Sequence, residues 1–337
     1  MHGLVPAVPV PHRADGSFDP AAQEAYAAWM ARHDVAGVAV WAHTGRGLHL
    51  SEETAAAVLS SWRRALPGRI VVAGVGARPR SRASRPAARR TPPADPQGLT
   101  AFVIEGAVAM AEQARDLGAD AVLIHPPALL ARLDDGERRI VEVHAALPRV
   151  GLPALAFWLY EAAGGCPYSP DVLDRILGLP GIAGIKVATL DSVVTFQGIA
   201  ARVPADKLLI TGEDRFLGYS LMMGARSALI GMGAAETGLQ TALLAAHARG
   251  EHERFFRLAA ACDRLGAVLF QAPLDGYPRR LLSLLAARGV IPREASYDPF
   301  GPDVPAAQLE EVERVARSLP APDAGRPGHD TSDAPPA

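Results

Sequence analysis

Cysteine is almost absent from this sequence. Its two cysteines, Cys166 and Cys262, lie far apart and form no CxxC or CxxxC motif, so neither a zinc site nor dithiol redox chemistry is indicated. Long apolar runs are lacking too: none reaches the roughly 18 residues that predict a membrane-spanning helix. Residues 1–11 also lack the charged and apolar regions of a signal peptide. We therefore expect a reduced, cytoplasmic protein with no membrane partner.

An excess of charge of either sign is also missing. The 34 basic and 36 acidic residues leave a formal net charge of -2 at pH 7, so no nucleic-acid partner is expected. The one basic cluster, residues 78–97, is rich in arginine and proline and predicts a disordered loop, with a polyanion-binding loop as the alternative. Residues 320–337, rich in proline, aspartate and glycine, predict a disordered tail.

What the sequence does contain is a regular alternation of short apolar runs and longer segments with helical periodicity. The apolar runs predict eight strands, at residues 4–10, 37–41, 69–75, 121–125, 154–158, 182–187, 207–211 and 228–232. The segments after them predict eight helices, at 20–33, 51–66, 99–117, 134–146, 169–177, 190–201, 213–224 and 234–248. This alternation is typical of parallel α/β proteins, and eight units fit one (β/α)8 TIM barrel.

Three further helices are predicted at 251–270, 278–288 and 306–319, which is more than a barrel needs. We assign the barrel strands and the helices between them to residues 1–233. The last barrel helix and a C-terminal helical extension of the same domain then occupy residues 234–319.

One lysine, Lys186, lies near the C-terminal end of the predicted sixth strand, and in TIM barrels the strand ends on that side form the active-site face. Its neighbours Ile182 and Ile185 are apolar. Apolar surroundings disfavour the ammonium form, lower the pKa of a lysine and leave a neutral amine that attacks a ketone or aldehyde. A lysine that extends to solvent from the strand end is the alternative.

The segment around Lys186, GIKVAT at residues 184–189, resembles the Schiff-base strand of the dihydrodipicolinate synthase and N-acetylneuraminate lyase family. Residues 208–233 are similar to the seventh and eighth strands of that family, and residues 71–77 to its third strand. Trp41-Ala42-His43-Thr44-Gly45 resembles its Gly-Thr-Thr-Gly-Glu turn. The extra helices match as well, so the resemblance extends from residue 4 to about residue 319.

The resemblance implies a lyase without metal or cofactor, in which Lys186 forms an imine with a 2-oxo acid such as pyruvate or with a related carbonyl substrate. The protonated imine then takes up electrons while an aldol, retro-aldol or dehydration step proceeds. The resemblance further implies that Thr44 and Gly45 bind the substrate carboxylate, with Gly231 of the 208–233 segment also at the substrate. A homo-oligomer, either a dimer or a tetramer, is expected on the same ground.

Several positions depart from the pattern of the family. Its tyrosine at the end of the fifth strand is Phe157 here, and a phenyl ring cannot transfer a proton. Its tyrosine after the fourth strand is Pro127, and the first threonine of its turn is His43. Its arginine after the fifth strand is missing from the stretch Glu161-Ala162-Ala163. We place Phe157 and Glu161 among the substrate-binding residues.

Proton transfer therefore requires other groups. His43 and His125 both end strands, and an imidazole near its ordinary pKa is a competent acid or base at neutral pH. Tyr160 follows Phe157 by three residues and reaches the same face. We predict these three as catalytic residues beside Lys186; a hydrogen-bonded residue at the barrel rim is the alternative for each.

Two other functions stay open from the sequence. The missing tyrosines are compatible with a barrel that binds a small carbonyl metabolite and no longer turns it over. A metal-dependent barrel aldolase or hydrolase would need several His, Asp or Glu ligands from strand ends, and His43 and His125 with Glu213 or Asp214 are the candidates for them. We favour a helix-capping and loop-anchoring role for Glu213 and Asp214, because they are predicted at the start of the helix after the seventh strand.

Overall fold

A computed structural model of the protein describes residues 2–78 and 91–320. Most of the predicted loop 78–97 and of the predicted tail 320–337 lies outside the described residues. Within them, the first element after the loop begins at Pro96 rather than at residue 99, and the Asp95 carboxylate accepts the Gly98 N–H as its cap.

Eight parallel strands occur along the described chain: β1 (Gly3–Leu4), β2 (Gly37–Val40), β3 (Ile70–Val75), β4 (Ala121–Ile124), β5 (Ala154–Leu159), β6 (Ile182–Ala188), β7 (Leu208–Thr211) and β8 (Ser227–Ala228). Their hydrogen-bonded order is β1-β8-β7-β6-β5-β4-β3-β2, and a parallel bridge between Ala7 and Ala39 connects the two ends of that order. The sheet is therefore a nearly closed barrel, which confirms the predicted (β/α)8 fold.

A helix follows each strand: α1 (Pro20–Met30), α2 (Glu52–Ala65), α3 (Pro96–Asp116), α4 (Gly136–Ala146), α5 (Pro170–Leu177), α6 (Val193–Ala200), α7 (Leu217–Met222) and α8 (Thr237–Ala248). The predicted extension consists of α9 (His252–Leu269), α10 (Tyr277–Ala287) and α11 (Ala306–Arg317). Helix α9 packs on α7 and α8, and α11 packs on α9 and α10, so the extension is continuous with the barrel.

Side chains at alternate strand positions fill the barrel interior, as the two-residue period of a strand requires. The interior cluster contains Leu155, Phe157 and Leu159 from β5, whereas the intervening Ala154 and Ala156 face the helices. On β6, Ile185 and Val187 belong to the outer layer under the helices. Lys186, which pairs with Phe157 in the register of the two strands, therefore has the interior orientation.

The first and last strands are shorter than predicted. Residues 4–10 were expected to form a strand, but Pro6 and Pro9 have no backbone N–H and interrupt the ladder after Leu4. The chain stays extended, since Ala7 N still donates to Ile230 O at 2.9 Å. The eighth strand ends at Ala228 rather than at residue 232, because Met232–Ala234 forms a 3-10 turn.

Helices α6 and α7 begin three and four residues later than predicted, and the second difference changes an interpretation. Leu190 has a φ of 69°, which no right-handed helix accommodates, so α6 begins at Val193. Helix α7 begins at Leu217, four residues after Glu213. The assignment of Glu213 and Asp214 to a first helical turn is therefore wrong: both are buried in the loop after β7.

Candidate active site

Lys186 lies two residues before the C-terminal end of β6 and is enclosed by the barrel. Its side chain is only 6% exposed, and its Nζ lies 4.2 Å from the centroid of the Phe157 ring. Gly212, directly after β7, leaves the space that the lysine occupies, because a Cβ there would lie 2.6 Å from Lys186 Cε. This burial excludes the alternative of a lysine that extends to solvent.

Burial also sets the chemistry of the amine. The apolar surroundings lower the pKa of Lys186 to about 8, while the nearby Asp214 and Glu213 carboxylates act in the opposite direction. With that pKa, about a tenth of the molecules carry the neutral amine at pH 7. A buried lysine with a lowered pKa beside an apolar ring is suited to nucleophilic attack on a carbonyl carbon.

Glu213 holds the loop that follows β6. Its carboxylate accepts the Thr189 N–H at 2.5 Å and the Leu190 N–H at 3.0 Å. Burial raises the pKa of Glu213 to about 7, although these two hydrogen bonds act to lower it. Glu213 thus fixes the left-handed conformation of Leu190 and with it the end of the strand that carries Lys186.

Asp214 holds the loop that follows β8. Its carboxylate accepts the Met232 N–H at 2.7 Å and the Gly231 N–H at 3.4 Å, and burial raises its pKa to about 6. Because the oxygens of Asp214 and Glu213 bind backbone donors, both residues anchor loops beside Lys186. Across the residues that the structure describes, no group of three or more His, Cys, Asp and Glu side chains is arranged as metal ligands.

His125 follows β4 directly. Its Nε2 donates to the Trp41 carbonyl at 3.1 Å, so Nδ1 carries the lone pair of the neutral ring. Burial lowers the pKa of His125 to about 4, so the ring is neutral at pH 7. Trp41 has a φ of 56°, and backbone conformations of this kind in residues other than glycine concentrate at functional sites.

The 3-10 turn His43–Gly45 follows β2, and the first residue of α10, Tyr277, packs onto it. The Tyr277 hydroxyl lies 3.0 Å from His43 Nδ1 and 2.8 Å from Thr44 Oγ1. On its other side, His43 Nε2 lies 3.4 Å from Asp275 Oδ1. Gly45 is buried in the same turn, and a Cβ on Gly231 would lie 3.3 Å from Thr44 Oγ1. Thr44, Gly45 and Gly231 thus lie close together, and their role in substrate binding stays a prediction.

Arg46 connects this turn to the C-terminal extension. Its guanidinium donates to Asp275 at 2.7 Å and to Asp298 at 2.8 Å, and these carboxylates raise its pKa although burial opposes them. Its positive charge is thus offset by two negative charges. Desolvation and the charge of Arg46 hold the pKa of the adjacent His43 well below its usual value.

A cavity of about 300 Å³ opens beside the turn. Its walls come from the 43–49 segment, the residues after β4, the loop after β5 and the extension: His43, Arg46, Gly47, Leu48, His49, His125, Pro126, Leu159, Ala162, Ala163, Gly164 and Asp275. Lys186 does not line the cavity, but Phe157 connects the lysine to it. The Phe157 ring contacts Lys186 Nζ on one side and lies 6.2 Å from the ring of His125, a lining residue.

The remaining predicted residues lie at the loop after β5. Tyr160 is half-buried, burial raises its pKa, and its hydroxyl has no hydrogen-bond partner among residues 2–78 and 91–320. Glu161 is exposed, and the three residues after it line the cavity instead.

Four residues of the site were not predicted from the sequence: Arg46, His49, Asp275 and Tyr277. Asp275 and Tyr277 belong to the extension, so reasoning from strand ends does not reach them. The segment LDGYP at 274–278 shows a turn before a helix, but no local pattern tells which surface that turn contacts. His49 lines the cavity and stacks on Phe300 with ring centroids 5.6 Å apart.

The pKa of Lys186 is directly testable. We expect the rate at which trinitrobenzenesulfonate modifies Lys186, followed by peptide mass spectrometry, to rise with pH with a midpoint at about 8 and to level off roughly 1 unit above it, because only the neutral amine reacts. In Asp214→Asn this midpoint should fall by roughly 1 unit, since the carboxylate that favours the ammonium form is gone. A midpoint above 10, or an upward shift in Asp214→Asn, would contradict this account of the site.

The structure combines a parallel eight-stranded barrel, a helical extension and an enclosed lysine near the end of the sixth strand. These three features together define one class of TIM-barrel protein. The chain belongs to the dihydrodipicolinate synthetase family, whose model matches residues 97–318. This finding confirms the family predicted from the segments around Lys186 and His43.

Individual relatives agree with the assignment. The chain is 24% identical over 322 residues to an uncharacterized DapA-like lyase of Thermofilum pendens, covering 95% of this chain and 97% of the relative. It is 27% identical over 280 residues to a 4-hydroxy-tetrahydrodipicolinate synthase of Stenotrophomonas maltophilia, covering 82% and 80%. The crystal structure of N-acetylneuraminate lyase from Mycoplasma synoviae matches with a TM-score of 0.73 at 19% identity, covering 94% of this chain and 97% of that one. That last likeness shows the fold alone.

Proposed function

We propose that the protein is a class I lyase in which Lys186 forms an imine with a 2-oxo acid or a related carbonyl substrate. The imine then stabilises, as an enamine, the carbanion at C3 that an aldol, retro-aldol or dehydration step requires. The observation that carries this proposal is the burial of Lys186 against Phe157 near the C-terminal end of β6. The family assignment supports it, since the named relatives are a lyase and a synthase.

The cavity supports a neutral second reactant. Its one cationic side chain among the described residues, Arg46, is paired with Asp275 and Asp298, and the histidines around it are held in the neutral form by burial. A carboxylate placed there would meet Asp275 and find no unpaired positive charge. We therefore propose that the carbon–carbon or carbon–oxygen bond is made or broken to an uncharged aldehyde, hydroxylated chain or water.

Reductive trapping tests the proposal. The protein is incubated with pyruvate or with one of a panel of longer 2-oxo acids, borohydride is added, and the adduct is located by peptide mass spectrometry. We expect the mass of the reduced adduct on Lys186. The sequence contains only two lysines, Lys186 and Lys207, so the assignment is simple. No adduct with any acid of the panel, or an adduct on Lys207 alone, would overturn the proposal.

The same panel separates turnover from binding. A protein that forms the imine and exchanges the C3 protons of the acid with deuterium oxide performs the chemistry of a lyase, whereas one that is trapped without exchange only binds the carbonyl compound. Reaction rates with an uncharged aldehyde and with glyoxylate, which carries a carboxylate, then test the proposed preference for a neutral reactant.

We also propose that activity needs no metal, that the protein lies in the cytoplasm and that it forms a dimer or tetramer. Imine chemistry requires no metal, so activity should be insensitive to a strong chelator. Across the described residues, none of the helices combines the length and hydropathy that crossing a membrane requires. A cytoplasmic location and a dimeric or tetrameric assembly are proposed from the family resemblance, and light scattering tests the assembly.

A further inference from the structure

Among residues 2–78 and 91–320, the Tyr277 hydroxyl is the one phenol that hydrogen bonds to the turn after β2. Tyr277 is buried, its ring stacks on Phe270 with centroids 4.8 Å apart, and its oxygen lies within hydrogen-bond distance of both Thr44 and His43. Helix α10 supplies it, so this phenol reaches the barrel rim from the C-terminal extension and not from a strand end.

The direction of each hydrogen bond in this group follows from Asp275. An ionised carboxylate only accepts, so His43 directs an Nε2–H towards it, and in the neutral ring Nδ1 then carries the lone pair. Tyr277 must donate its single proton to Nδ1, because the lone pair cannot donate. The Tyr277 oxygen is then free to accept the proton of Thr44 Oγ1. The hydroxyls and the imidazole form an unbroken chain that runs from Thr44 through Tyr277 to His43.

We propose that this chain carries the proton that leaves or returns to C3 of the imine adduct, with Tyr277 as the relay between Thr44 and His43. The inference rests on the proposed imine at Lys186. Tyr277 acts through Thr44 and does not itself touch the substrate. It thereby supplies the phenol that Phe157 cannot provide.

The transfer balances in both protons and charge. As the C3–H bond breaks, its electron pair forms the C2–C3 double bond and the iminium cation on Lys186 becomes a neutral enamine. The proton passes to Thr44 Oγ1, the Thr44 proton passes to Tyr277, and the Tyr277 proton passes to His43 Nδ1. The positive charge thus moves from Lys186 to an imidazolium next to Asp275. Reversal of the same shifts returns a proton to the adduct.

The surrounding charges favour this movement. The cation on Lys186 is one of the groups that lower the pKa of His43, and it disappears when the enamine forms. Asp275 lies 3.4 Å from the opposite nitrogen of the ring and stabilises the imidazolium. Proton acceptance by His43 is therefore easiest at the moment when the adduct releases its proton.

Tyr277→Phe tests the relay, because it removes one oxygen and keeps the ring that packs on Phe270 and His43. We expect the variant to be trapped on Lys186 by pyruvate and borohydride as well as the wild type. C3 exchange with deuterium oxide should fall by roughly 10²-fold or more, the usual contribution of a positioned proton-transfer group. A merely structural role would lower trapping and exchange together.

The matched control is Tyr168→Phe. It removes another buried phenol, whose oxygen has no hydrogen-bond partner in the described part of the chain and which lies away from Lys186, against His144. We expect wild-type exchange in this control. Exchange in Tyr277→Phe within about threefold of wild type, or a parallel loss of trapping and exchange, would overturn the relay.

His43→Asn provides a second, independent variant, since an amide can bond to Tyr277 but cannot take up the proton. It should lose exchange to a similar extent, and the double variant with Tyr277→Phe should be hardly slower than either single one, because both act in one chain. Additive losses would overturn the relay. Absence of trapping in the wild type is a different result: it refutes the imine at Lys186 itself, and the relay with it.

Discussion

Lys186→Met is expected to abolish reductive trapping and to lower turnover by roughly 10⁴-fold or more, as the removal of a covalent nucleophile does in other enzymes. The same variant should unfold less readily than the wild type at pH 7. Methionine has a similar length, carries no charge, and its thioether packs well against an aromatic ring such as Phe157. Loss of activity combined with a gain of stability is the signature of a group kept for chemistry.

The gain in stability follows from the pKa of Lys186. In the unfolded chain the lysine has an ordinary pKa, whereas burial lowers it to about 8 in the folded protein. The unfolded state therefore binds the proton more tightly, and the stability of the wild type falls as the pH drops from about 10.5 to about 8. At pH 7 the full cost, on the order of 3 kcal/mol, is present.

Removal of the ammonium relieves most of that cost, although Asp214 loses its cationic neighbour. We expect a net gain of roughly 1–3 kcal/mol and a rise in Tm of roughly 2–6 °C at pH 7. The gain should shrink as the pH rises towards about 10.5 and disappear above it, where the wild-type lysine becomes neutral in both states.

Lys207→Met is the matched control, because Lys207 is the other lysine of the chain and its Nζ donates to the Ile182 carbonyl at 2.7 Å at the start of β6. Trapping on Lys186 should persist in this variant, and its stability should not rise. Covalent capture that survives in Lys186→Met would refute the assignment of the nucleophile. A variant that is inactive but less stable than the wild type at pH 7 would refute the proposed cost of burying the ammonium.

The barrel itself was predictable because its signal is local and repeated. Each strand is a short apolar run and each helix shows its own periodicity, so eight units are recognised even when single ends are misplaced. The errors occur where a specific residue overrides the pattern: Pro6 and Pro9 shorten β1, and the positive φ of Leu190 delays α6. The length of an apolar run does not show that a hydrogen-bond donor is missing.

The candidate site was predictable only in part, for a different reason. Lys186 lies near the end of β6, and His43 and His125 follow β2 and β4. The barrel topology places these strand ends on one face regardless of their distance in the sequence. Tyr277 and Asp275 reach that face only because α10 packs onto the turn His43–Gly45, a contact between segments more than 200 residues apart. A contact between such distant segments cannot be predicted from the local periodicity of the sequence. The sequence therefore shows that a phenol is missing at Phe157 but not that a phenol from the extension approaches the same turn.

Gly212→Ala should lower imine formation by roughly 10²-fold while leaving the fold intact, because a displacement of about 1 Å is enough to cost that much in a positioned reaction. The added Cβ would lie 2.6 Å from Lys186 Cε, 2.9 Å from Ala188 Cβ and 3.0 Å from Val187 O. Gly212 is not among the residues with a positive φ, so its backbone tolerates alanine. The measurement is the rate of trapping on Lys186 at a saturating concentration of the 2-oxo acid, together with Tm.

The reason for a selective effect is that the strand atoms are held by the barrel ladder, whereas the end of a lysine side chain moves by rotation about its own bonds. The closest contact, with Lys186 Cε, is therefore relieved by displacement of the lysine side chain from the Phe157 ring, whereas the contacts with Ala188 Cβ and Val187 O require a small shift of the backbone. Gly198→Ala is the matched control: this glycine lies on α6, and a Cβ there meets no atom within 4 Å. It should trap at the wild-type rate and be slightly more stable, since alanine favours a helix over glycine by about 1 kcal/mol. A Gly212→Ala variant that traps as fast as Gly198→Ala would show that Lys186 reacts from a position other than the one enclosed between β5 and β7.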